Sequence, residues 1–273
     1  MQKFALEGSR KLIMGILNVT PDSFSDGGMY EHTDAAVSRA FDMLSEGADI
    51  IDIGGESTRP GALLVDEEEE IRRVLPVIKG ILDRRKDVII SIDTNKSVVA
   101  KVALEAGARI VNDINGLRAD KDMAKVVSQY GATVIAMANL RNDATSAPEG
   151  YLVQDVITRI KAQFNESKEI ALANEIAMDR LILDPGIGFG TTRQEEVYIL
   201  EHLDELMADE SCDLLVGASR KRVISYLCEQ ETSRKPTKDE IILKSVQVHA
   251  KALASRARIV RVHDVALLKN YLA

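Results

Sequence analysis

The stretch LILDPGIGFG (residues 181–190) decides how the rest of the chain is interpreted. Three branched apolar residues lead directly into the carboxylate of Asp184, a proline and three alternating glycines. This order is typical of a buried parallel strand that ends in a loop facing a ligand. Burying a carboxylate beside a hydrophobic run is costly unless the group is paired, and a ligand with two parallel N–H donors would pair with it. The alternative is that Asp184 caps amides of its own loop.

The same change from an apolar run to a polar strand end recurs along the chain. The predicted strands cover residues 12–19, 49–53, 88–92, 109–114, 133–138, 181–183, 214–218 and 258–262. Helical periodicity is found near residues 34–46, 67–83, 96–106, 121–130, 154–175, 194–208, 239–255 and 265–272. Eight alternating units with short turns predict an α/β fold, a single (β/α)8 TIM barrel domain over residues 1–273. A doubly wound open sheet is the alternative.

The composition argues against several classes of function. A chain of 273 residues with 45% hydrophobic content can bury a full core. Its net charge of −8 argues against binding nucleic acid or an anionic membrane, since either would require a basic patch. We expect a cytoplasmic protein, because the N-terminus lacks a signal-peptide core and no apolar run reaches the roughly 18 residues of a membrane span. Cys212 and Cys228 are expected to be reduced thiols without a metal role.

Polar side chains follow every predicted strand. In a (β/α)8 barrel, the carboxyl ends of the strands form the catalytic face. The residues at these ends are Asn18, Asp52, Glu56, Asp93, Asn112, Asp113, Asn115, Asn139, Asp184, Ser219, Arg220, Lys221, Arg261 and His263. Some polar strand ends are expected to be caps in any barrel, but their presence after all eight strands favours a binding site.

Acceptor groups are concentrated after strands three, four and six. Asp93 and Asp184 only accept hydrogen bonds when ionised, whereas Asn112 can both donate and accept. Together they could recognise a flat heterocycle that carries several ring N–H and amino groups, such as a pterin. Lys221, after strand seven, could neutralise the buried charge and donate to a ring carbonyl.

Positively charged and donor groups follow strands seven and eight, where barrels often bind phosphate. Arg261 and His263 alternate with Val260 and Val262, so both polar side chains can point the same way. For His263 the alternative is an ordinary hydrogen-bonded histidine at the barrel rim. The alternating glycines at residues 186–190 match neither a dinucleotide fingerprint nor a P-loop and predict no nucleotide site.

Seven motifs, in this order, resemble those of the dihydropteroate synthases, the sulfonamide targets of folate biosynthesis. They are GILNVTPDSFSDGG (15–28), DIGGESTRPGA (52–62), SIDT (91–94), VNDING (111–116), LILDPGIGFG (181–190), GASRK (217–221) and RVHDV (261–265). The resemblance implies an Mg²⁺-dependent transferase that joins 7,8-dihydropterin-CH2-diphosphate to p-aminobenzoate and releases pyrophosphate. It also implies a homodimer formed through the late helices.

The resemblance further implies roles for individual residues. The pterin would be bound by Asp93, Asn112, Met137, Asp184 and Lys221. The p-aminobenzoate would be bordered by Thr58, Arg59, Pro60 and Ser219. The diphosphate would be bound by Asn18, Arg261 and His263, with Asn18 also at the metal. Asp93, Lys221 and Arg261 would be catalytic, since Asp93 could stabilise the methylene cation that departing pyrophosphate leaves.

Three stretches depart from the family pattern. The family usually has Met-His-Met after strand five, where this chain has Met-Ala-Asn (137–139), and a lysine after GFG, where this chain has threonines (191–192). The small-residue helix expected before the last strand is replaced by IILKSVQVHAKALAS (241–255). Two alternatives remain: a pterin-binding paralogue with little or no synthase activity, or a methyltetrahydrofolate-dependent corrinoid methyltransferase, which has no diphosphate to expel.

Overall fold

A computed structural model describes residues 4–6, 8–20, 29–57, 64–142, 151–207 and 212–273. Its eight parallel strands pair in sequence order, and β1 also pairs with β8, which closes the barrel. The strands are β1 (Leu12–Asn18), β2 (Ile50–Gly54), β3 (Ile89–Asp93), β4 (Ile110–Asp113), β5 (Thr133–Met137), β6 (Leu181–Asp184), β7 (Asp213–Val216) and β8 (Ile259–Val262). The predicted (β/α)8 barrel is confirmed. A doubly wound open sheet is excluded, because the first and last strands of an open sheet do not pair with each other, whereas β1 and β8 do here.

Helices surround this barrel. They are α1 (Met29–Glu46), α2 (Glu67–Arg84), α3 (Ser97–Glu105), α4 (Met123–Tyr130), α5 (Asp155–Ala173), α6 (Arg193–Glu201), α7 (Leu203–Leu206), α8 (Arg222–Thr232), α9 (Lys238–Ala254) and α10 (Val265–Leu272). Helix α8 was not predicted, because only one helix, at residues 239–255, was assigned between the seventh and eighth strands; its buried residues are Val223, Ile224 and Cys228. The first helix begins at Met29, before the predicted residue 34, so the preceding connection is shorter than the sequence suggested.

Side-chain caps mark the start of three helices. Thr192 and Thr237 each form a complete capping box with the glutamate three residues later. Asp66 forms only half of one: it accepts a hydrogen bond from the Glu69 amide at 2.8 Å. The Glu69 side chain instead binds Arg72 and Arg73, so the reciprocal bond of the box is absent at α2.

Two hydrophobic cores lie on opposite faces of the strands. The barrel interior contains Leu12, Met14, Ile50, Ile110, Ile135, Ile182, Leu215 and Ile259. A larger core between strands and helices includes Ile13, Ile51, Val111, Leu183 and Val260. Successive side chains of a strand alternate between its two faces. Residues two positions away from a member of the interior set therefore also point into the barrel.

The N-terminal segment covers the amino end of the barrel interior. Phe4 and Leu6 pack on the interior core. The Phe4 amide donates to the Gly131 carbonyl at 2.8 Å, and the Thr133 hydroxyl donates to the Phe4 carbonyl at 2.8 Å. This end is therefore apolar and covered, and polar chemistry in the interior is found at the carboxyl ends of the strands.

Cys212 and Cys228 are buried, and neither forms a disulfide within the described residues, as expected for reduced thiols. His249 is fully buried. Among the helices of the described ranges, none is both long and apolar enough to cross a membrane.

Candidate active site

Strand alternation brings the predicted site residues to one mouth of the barrel. Asp52 lies two residues after the inward-facing Ile50, and Asn112 lies two residues after Ile110. The same inward parity holds for Asn18, Asp93, Met137, Asp184 and Arg261. Side chains from seven strands therefore converge at the carboxyl ends, which is where this fold places its chemistry.

Arg261 is the central cation of this mouth. Its Nε donates to Asp52 Oδ2 at 2.5 Å, and a terminal guanidinium nitrogen donates to Asp93 Oδ2. Burial alone would lower the pKa of Arg261, but the carboxylates of Asp52 and Asp93 raise it above its ordinary value. The guanidinium is therefore always charged and is held in one orientation by two carboxylates.

Asp93 lies where the acceptor side of the mouth meets Arg261. Burial raises the pKa of Asp93 to about 7, with Arg261 acting in the opposite direction and Asp52 adding to the rise. Its β2 neighbour in the sheet is Gly54, and a Cβ there would lie 3.4 Å from the Asp93 Cβ. Near neutral pH, Asp93 can therefore be an acceptor or a proton carrier beside a glycine that leaves it space.

Asp184 combines the two interpretations that its sequence context left open. Oδ1 accepts a hydrogen bond from the Gly186 amide at 2.8 Å, so one oxygen does cap the loop. This is the only hydrogen bond of the carboxylate within the described chain, so the second oxygen can accept from a ligand. Burial raises the pKa of Asp184, and nearby Lys221 acts against that rise.

The glycines of the loop after β6 permit close backbone packing. A Cβ on Gly186, whose φ is +71°, would lie 1.8 Å from the Ala138 carbonyl oxygen, and one on Gly190 would lie 2.3 Å from the Arg141 nitrogen. The Leu140 amide donates to the Phe189 carbonyl at 2.9 Å. The pattern therefore serves loop packing, consistent with the absence of a nucleotide motif.

Lys221 reaches the same mouth from the loop after β7. Its ammonium group donates to the Ile187 carbonyl at 2.7 Å and lies 4.9 Å from the centre of the Phe189 ring. Burial lowers the pKa of Lys221 to about 8, while Asp184 opposes that change. The preceding Arg220 has a φ of +58° and is bound to Asp264, which fixes the turn that directs Lys221 inward.

Ser219 and His263 form a pair at the β7 and β8 side of the mouth. The Ser219 hydroxyl lies 3.0 Å from His263 Nδ1 and accepts the His263 main-chain N–H at 3.2 Å. The histidine therefore has a side-chain partner, as expected for an ordinary hydrogen-bonded histidine at the barrel rim. It also lies two residues after Arg261, near the predicted diphosphate site. Ser219, predicted beside p-aminobenzoate, contacts the predicted diphosphate side.

His249 supports the mouth indirectly, through the turn after β7, a role that the sequence did not reveal. Its Nε2 accepts the Ala218 amide at 3.1 Å, and its Nδ1 donates to the Ser245 carbonyl at 2.6 Å. Burial lowers the pKa of His249 to about 4, so the ring is neutral at physiological pH. It thereby anchors the start of the turn that carries Ser219 and Lys221.

Several polar strand ends have structural contacts instead of facing the mouth. Asp113 accepts the amides of Asn115 at 2.9 Å and Leu117 at 2.7 Å within its own turn. Asn139 donates to Asn115 at 3.0 Å, and Glu56 accepts from Lys96 at 2.6 Å. A count of polar strand ends therefore overstated the site, because some of them are caps.

The predicted p-aminobenzoate residues Thr58, Arg59 and Pro60 lie outside the described residues, and their placement stays a prediction. Asn18 lies at the end of β1 with the inward parity that its predicted role requires. Met137 is buried and pairs in register with Asp184. Asp52 was predicted at a strand end with no role of its own, although its inward parity with Ile50 pointed to the mouth.

Comparison with known proteins places this arrangement in a family. The model of the family described as "Pterin binding enzyme" matches residues 14–263. The dihydropteroate synthase of Clostridium beijerinckii is 41% identical over 258 residues, which cover 94% of this chain and 90% of the relative. The corresponding protein of Staphylococcus epidermidis is 42% identical over 260 residues, covering 93% and 90%.

Solved structures agree. Dihydropteroate synthase from Clostridium difficile, solved in the presence of pteroic acid, is similar with a TM-score of 0.84, 43% identity and coverage of 96% and 94% of the two chains. The Xanthomonas albilineans enzyme in complex with 7,8-dihydropteroate has a TM-score of 0.81 and 36% identity, with coverage of 96% and 91%. The chain therefore belongs to the pterin-binding enzyme family and, within it, to the dihydropteroate synthases.

Proposed function

We propose that this protein condenses 6-hydroxymethyl-7,8-dihydropterin diphosphate with p-aminobenzoate to give 7,8-dihydropteroate and pyrophosphate. The observation that carries the proposal is the convergence of acceptors and cations at one barrel mouth, with Arg261 held between Asp52 and Asp93. The relatives' names and the ligands in their solved structures, which include dihydropteroate and 4-aminobenzoic acid, support the same reaction.

The acceptor side suits the pterin ring. Asp184 offers one carboxylate oxygen beyond its bond to Gly186, and Asn112 and Asp93 are neighbours in the β3–β4 register. A pterin presents ring N–H and amino donors to such groups, and its carbonyl can accept from Lys221. The Lys221 ammonium group would make a charge-assisted hydrogen bond to that carbonyl. Its positive charge would also offset the negative charge of the buried Asp184 carboxylate.

The cationic side suits the leaving diphosphate. In the proposed step the C–O bond between the methylene and the diphosphate breaks, and pyrophosphate leaves with the electron pair. Arg261 can donate to its oxygens, with His263 and Asn18 at the same rim. Ionised Asp93 stabilises the methylene cation that remains, since its charge lies in a water-poor site where electrostatic effects are strong.

The second substrate completes the reaction. The p-aminobenzoate nitrogen forms the new C–N bond with the methylene and loses one proton, which restores neutrality. Ser219 lies at the rim beside His263, and Thr58, Arg59 and Pro60 are proposed to border the same substrate. Excluding water from this position matters, because water would otherwise trap the cation.

Magnesium is proposed to arrive with the diphosphate. Among the described residues, no group of three or more histidine, cysteine, aspartate or glutamate side chains could hold a metal. Mg²⁺ is commonly bound by one or two protein oxygens together with substrate phosphates and water, so a single amide oxygen from Asn18 fits this mode. The ion would neutralise the leaving group's charge, and Asn18→Ala should raise the Mg²⁺ concentration needed for half-maximal activity.

One assay tests the function against its alternatives. Purified protein is incubated with Mg²⁺, the pterin diphosphate and p-aminobenzoate, and both pyrophosphate and dihydropteroate are measured. Equal formation of the two products is expected. Binding of the diphosphate without product would identify a paralogue without synthase activity, and methyl transfer that depends on a corrinoid protein would identify the methyltransferase alternative.

A homodimer through the late helices is also proposed. A cleft of about 240 Å³ between α6, α8 and α9 is lined in part by Val197, Leu200, Leu227 and Val248. On α9, Leu243 is 54% exposed. Sedimentation should give twice the chain mass for the wild type and for the control Leu172→Glu on α5, and a lower mass for Leu243→Glu. A monomeric wild type would contradict the proposal.

A further inference from the structure

We infer that Asp52 is a positioning residue that orients the Asn112 amide with its oxygen toward the cavity and holds Arg261 beside it. The inference rests on the proposed function, because the cavity is taken as the pterin site. It assigns Asp52 a specificity role in deciding which hydrogen-bonding pattern the mouth presents.

The hydrogen bonds of Asp52 support this orientation. Asp52 is fully buried, and its Oδ2 accepts from Asn112 Nδ2 at 3.1 Å and from Arg261 Nε at 2.5 Å. A carboxylate only accepts, so the Asn112 atom that faces it has to be the nitrogen. The orientation of a side-chain amide is set by such a partner. Asn112 Oδ1 consequently points away from Asp52 and accepts no hydrogen bond from the described residues.

The second Asp52 oxygen shows that the arrangement is costly. Asp52 Oδ1 is buried and has no hydrogen-bond partner within the described chain. Such atoms are rare in folded proteins and usually have a specific reason. An apolar residue would avoid the cost, but it would leave the Asn112 amide free to rotate and Arg261 with only one carboxylate. Orientation of both groups is a benefit that accounts for keeping this carboxylate.

The two groups that Asp52 orients serve the two halves of the pterin diphosphate. Asn112 would present an acceptor to ring donors, and Arg261 would present donors to the departing phosphate side. A solely structural ion pair would instead influence folding and both substrates equally. Measurements that separate pterin affinity from stability and from p-aminobenzoate dependence therefore distinguish the two roles.

The decisive variants are Asp52→Asn and the swap Asp52→Asn/Asn112→Asp. In the single variant, the new amide can donate to Asn112 Oδ1, so Asn112 can rotate and present a donor to the cavity. In the swap, residue 112 is again acceptor-only, and it is fixed by an N–H from residue 52. Both variants keep the side-chain volumes nearly unchanged. Asp113→Asn is the matched control. Asp113 is buried and follows Asn112 on β4, but its carboxylate caps its own turn.

Calorimetry with 6-hydroxymethyl-7,8-dihydropterin, without diphosphate, is the main measurement. Asp52→Asn should weaken binding about 10-fold or more, the size of one lost hydrogen bond between mismatched groups. The swap should recover affinity to within about 3-fold of the wild type. Asp113→Asn should bind normally, and the Michaelis constant for p-aminobenzoate should change less than about 2-fold in Asp52→Asn.

Wild-type affinity in Asp52→Asn, or a folded swap that binds as weakly as Asp52→Asn, would overturn the inference. If the variants do not fold, NMR of the wild type decides: the Asn112 Nδ2 protons should remain bonded to Asp52 and keep their shifts when the pterin binds. A large ligand-induced shift of these protons would also overturn it. A wild-type protein that binds no pterin would refute the proposed function itself.

Discussion

The two ends of the barrel interior are built from the same strands with opposite chemistry. On β2, Ile50 packs in the apolar interior core, and two residues later Asp52 binds Arg261. On β6, Ile182 and Asp184 have the same relation. Residues two apart on a strand lie only about 6.6 Å apart along it, so one layer of side chains separates a stabilising core from a binding site. Polarity at one inward position can therefore change function without changing the fold.

The two ends also differ in how their internal charges balance. The amino end is apolar and covered by Phe4 and Leu6. Three carboxylates (Asp52, Asp93 and Asp184) stand against two cations (Lys221 and Arg261) at the carboxyl end, and the raised pKa of Asp93 follows from this burial and crowding. A ligand with several N–H donors relieves that excess of acceptors, so the end that is less favourable for folding is the one suited to binding.

The largest expected effect comes from removing the cation of the mouth. Arg261→Ala should raise the apparent Michaelis constant for the pterin diphosphate about 100-fold or more, since a buried charge partner is worth roughly 3–5 kcal/mol when lost. The constant for p-aminobenzoate should change far less. Steady-state kinetics with each substrate varied checks this, with Arg220→Ala as an arginine control bound to Asp264. Equal effects on both substrates would remove Arg261 from the leaving-group site.

The apolar end should respond in stability instead. Ile110→Ala removes a fully buried side chain of the interior core and should lower the free energy of unfolding by about 2–5 kcal/mol. Urea denaturation measures this change. The Michaelis constants at 25 °C should stay within about 2-fold of the wild type while the protein is folded. A large rise in either constant would show that the two ends of the interior are not separable.

A smaller effect is expected from one oxygen of the acceptor side. Asp184→Asn should weaken pterin binding by about 1–3 kcal/mol. The asparagine amide replaces one carboxylate oxygen with an NH2 group, which cannot accept a hydrogen bond from the N–H donors of the pterin. The asparagine carbonyl oxygen can still accept from Gly186, so thermal stability should change little. Calorimetry with the pterin and a melting curve test the two parts, and an unchanged affinity would contradict the assigned role.

The smallest effect, near neutral pH, concerns protonation of the mouth. Asp93 has a pKa raised to about 7 and is ionised above it, whereas Lys221 has a pKa lowered to about 8 and is charged below it. The required forms coexist between these values, so kcat/KM for the pterin diphosphate should be highest near pH 7.5, roughly midway between the two pKa values, and should fall several-fold by pH 6 and by pH 9. Asp93→Asn should remove the acidic limb from any residual activity. A flat profile from pH 6 to 9 would contradict this assignment.

Local sequence patterns were enough for the architecture. Short apolar runs located all eight strands, and helical periodicity located the helices other than α8. Helix α8 was missed because a (β/α)8 repeat leads one to expect a single helix after each strand, whereas β7 is followed by both α8 and α9. Neighbouring polar residues were also hard to separate: Asn112 points into the mouth, whereas Asp113 caps its turn.

The sequence by itself determined which residues of each strand share a face, because side-chain alternation is a property of the extended backbone. It could not determine which inward residues meet across the barrel. Arg261 and Asp52 are 209 residues apart, and His249 and Ala218 are 31 residues apart on different elements. Only closure of the sheet between β1 and β8 brings the first pair together, so the orientation of Arg261 and Asn112 was decided by tertiary structure.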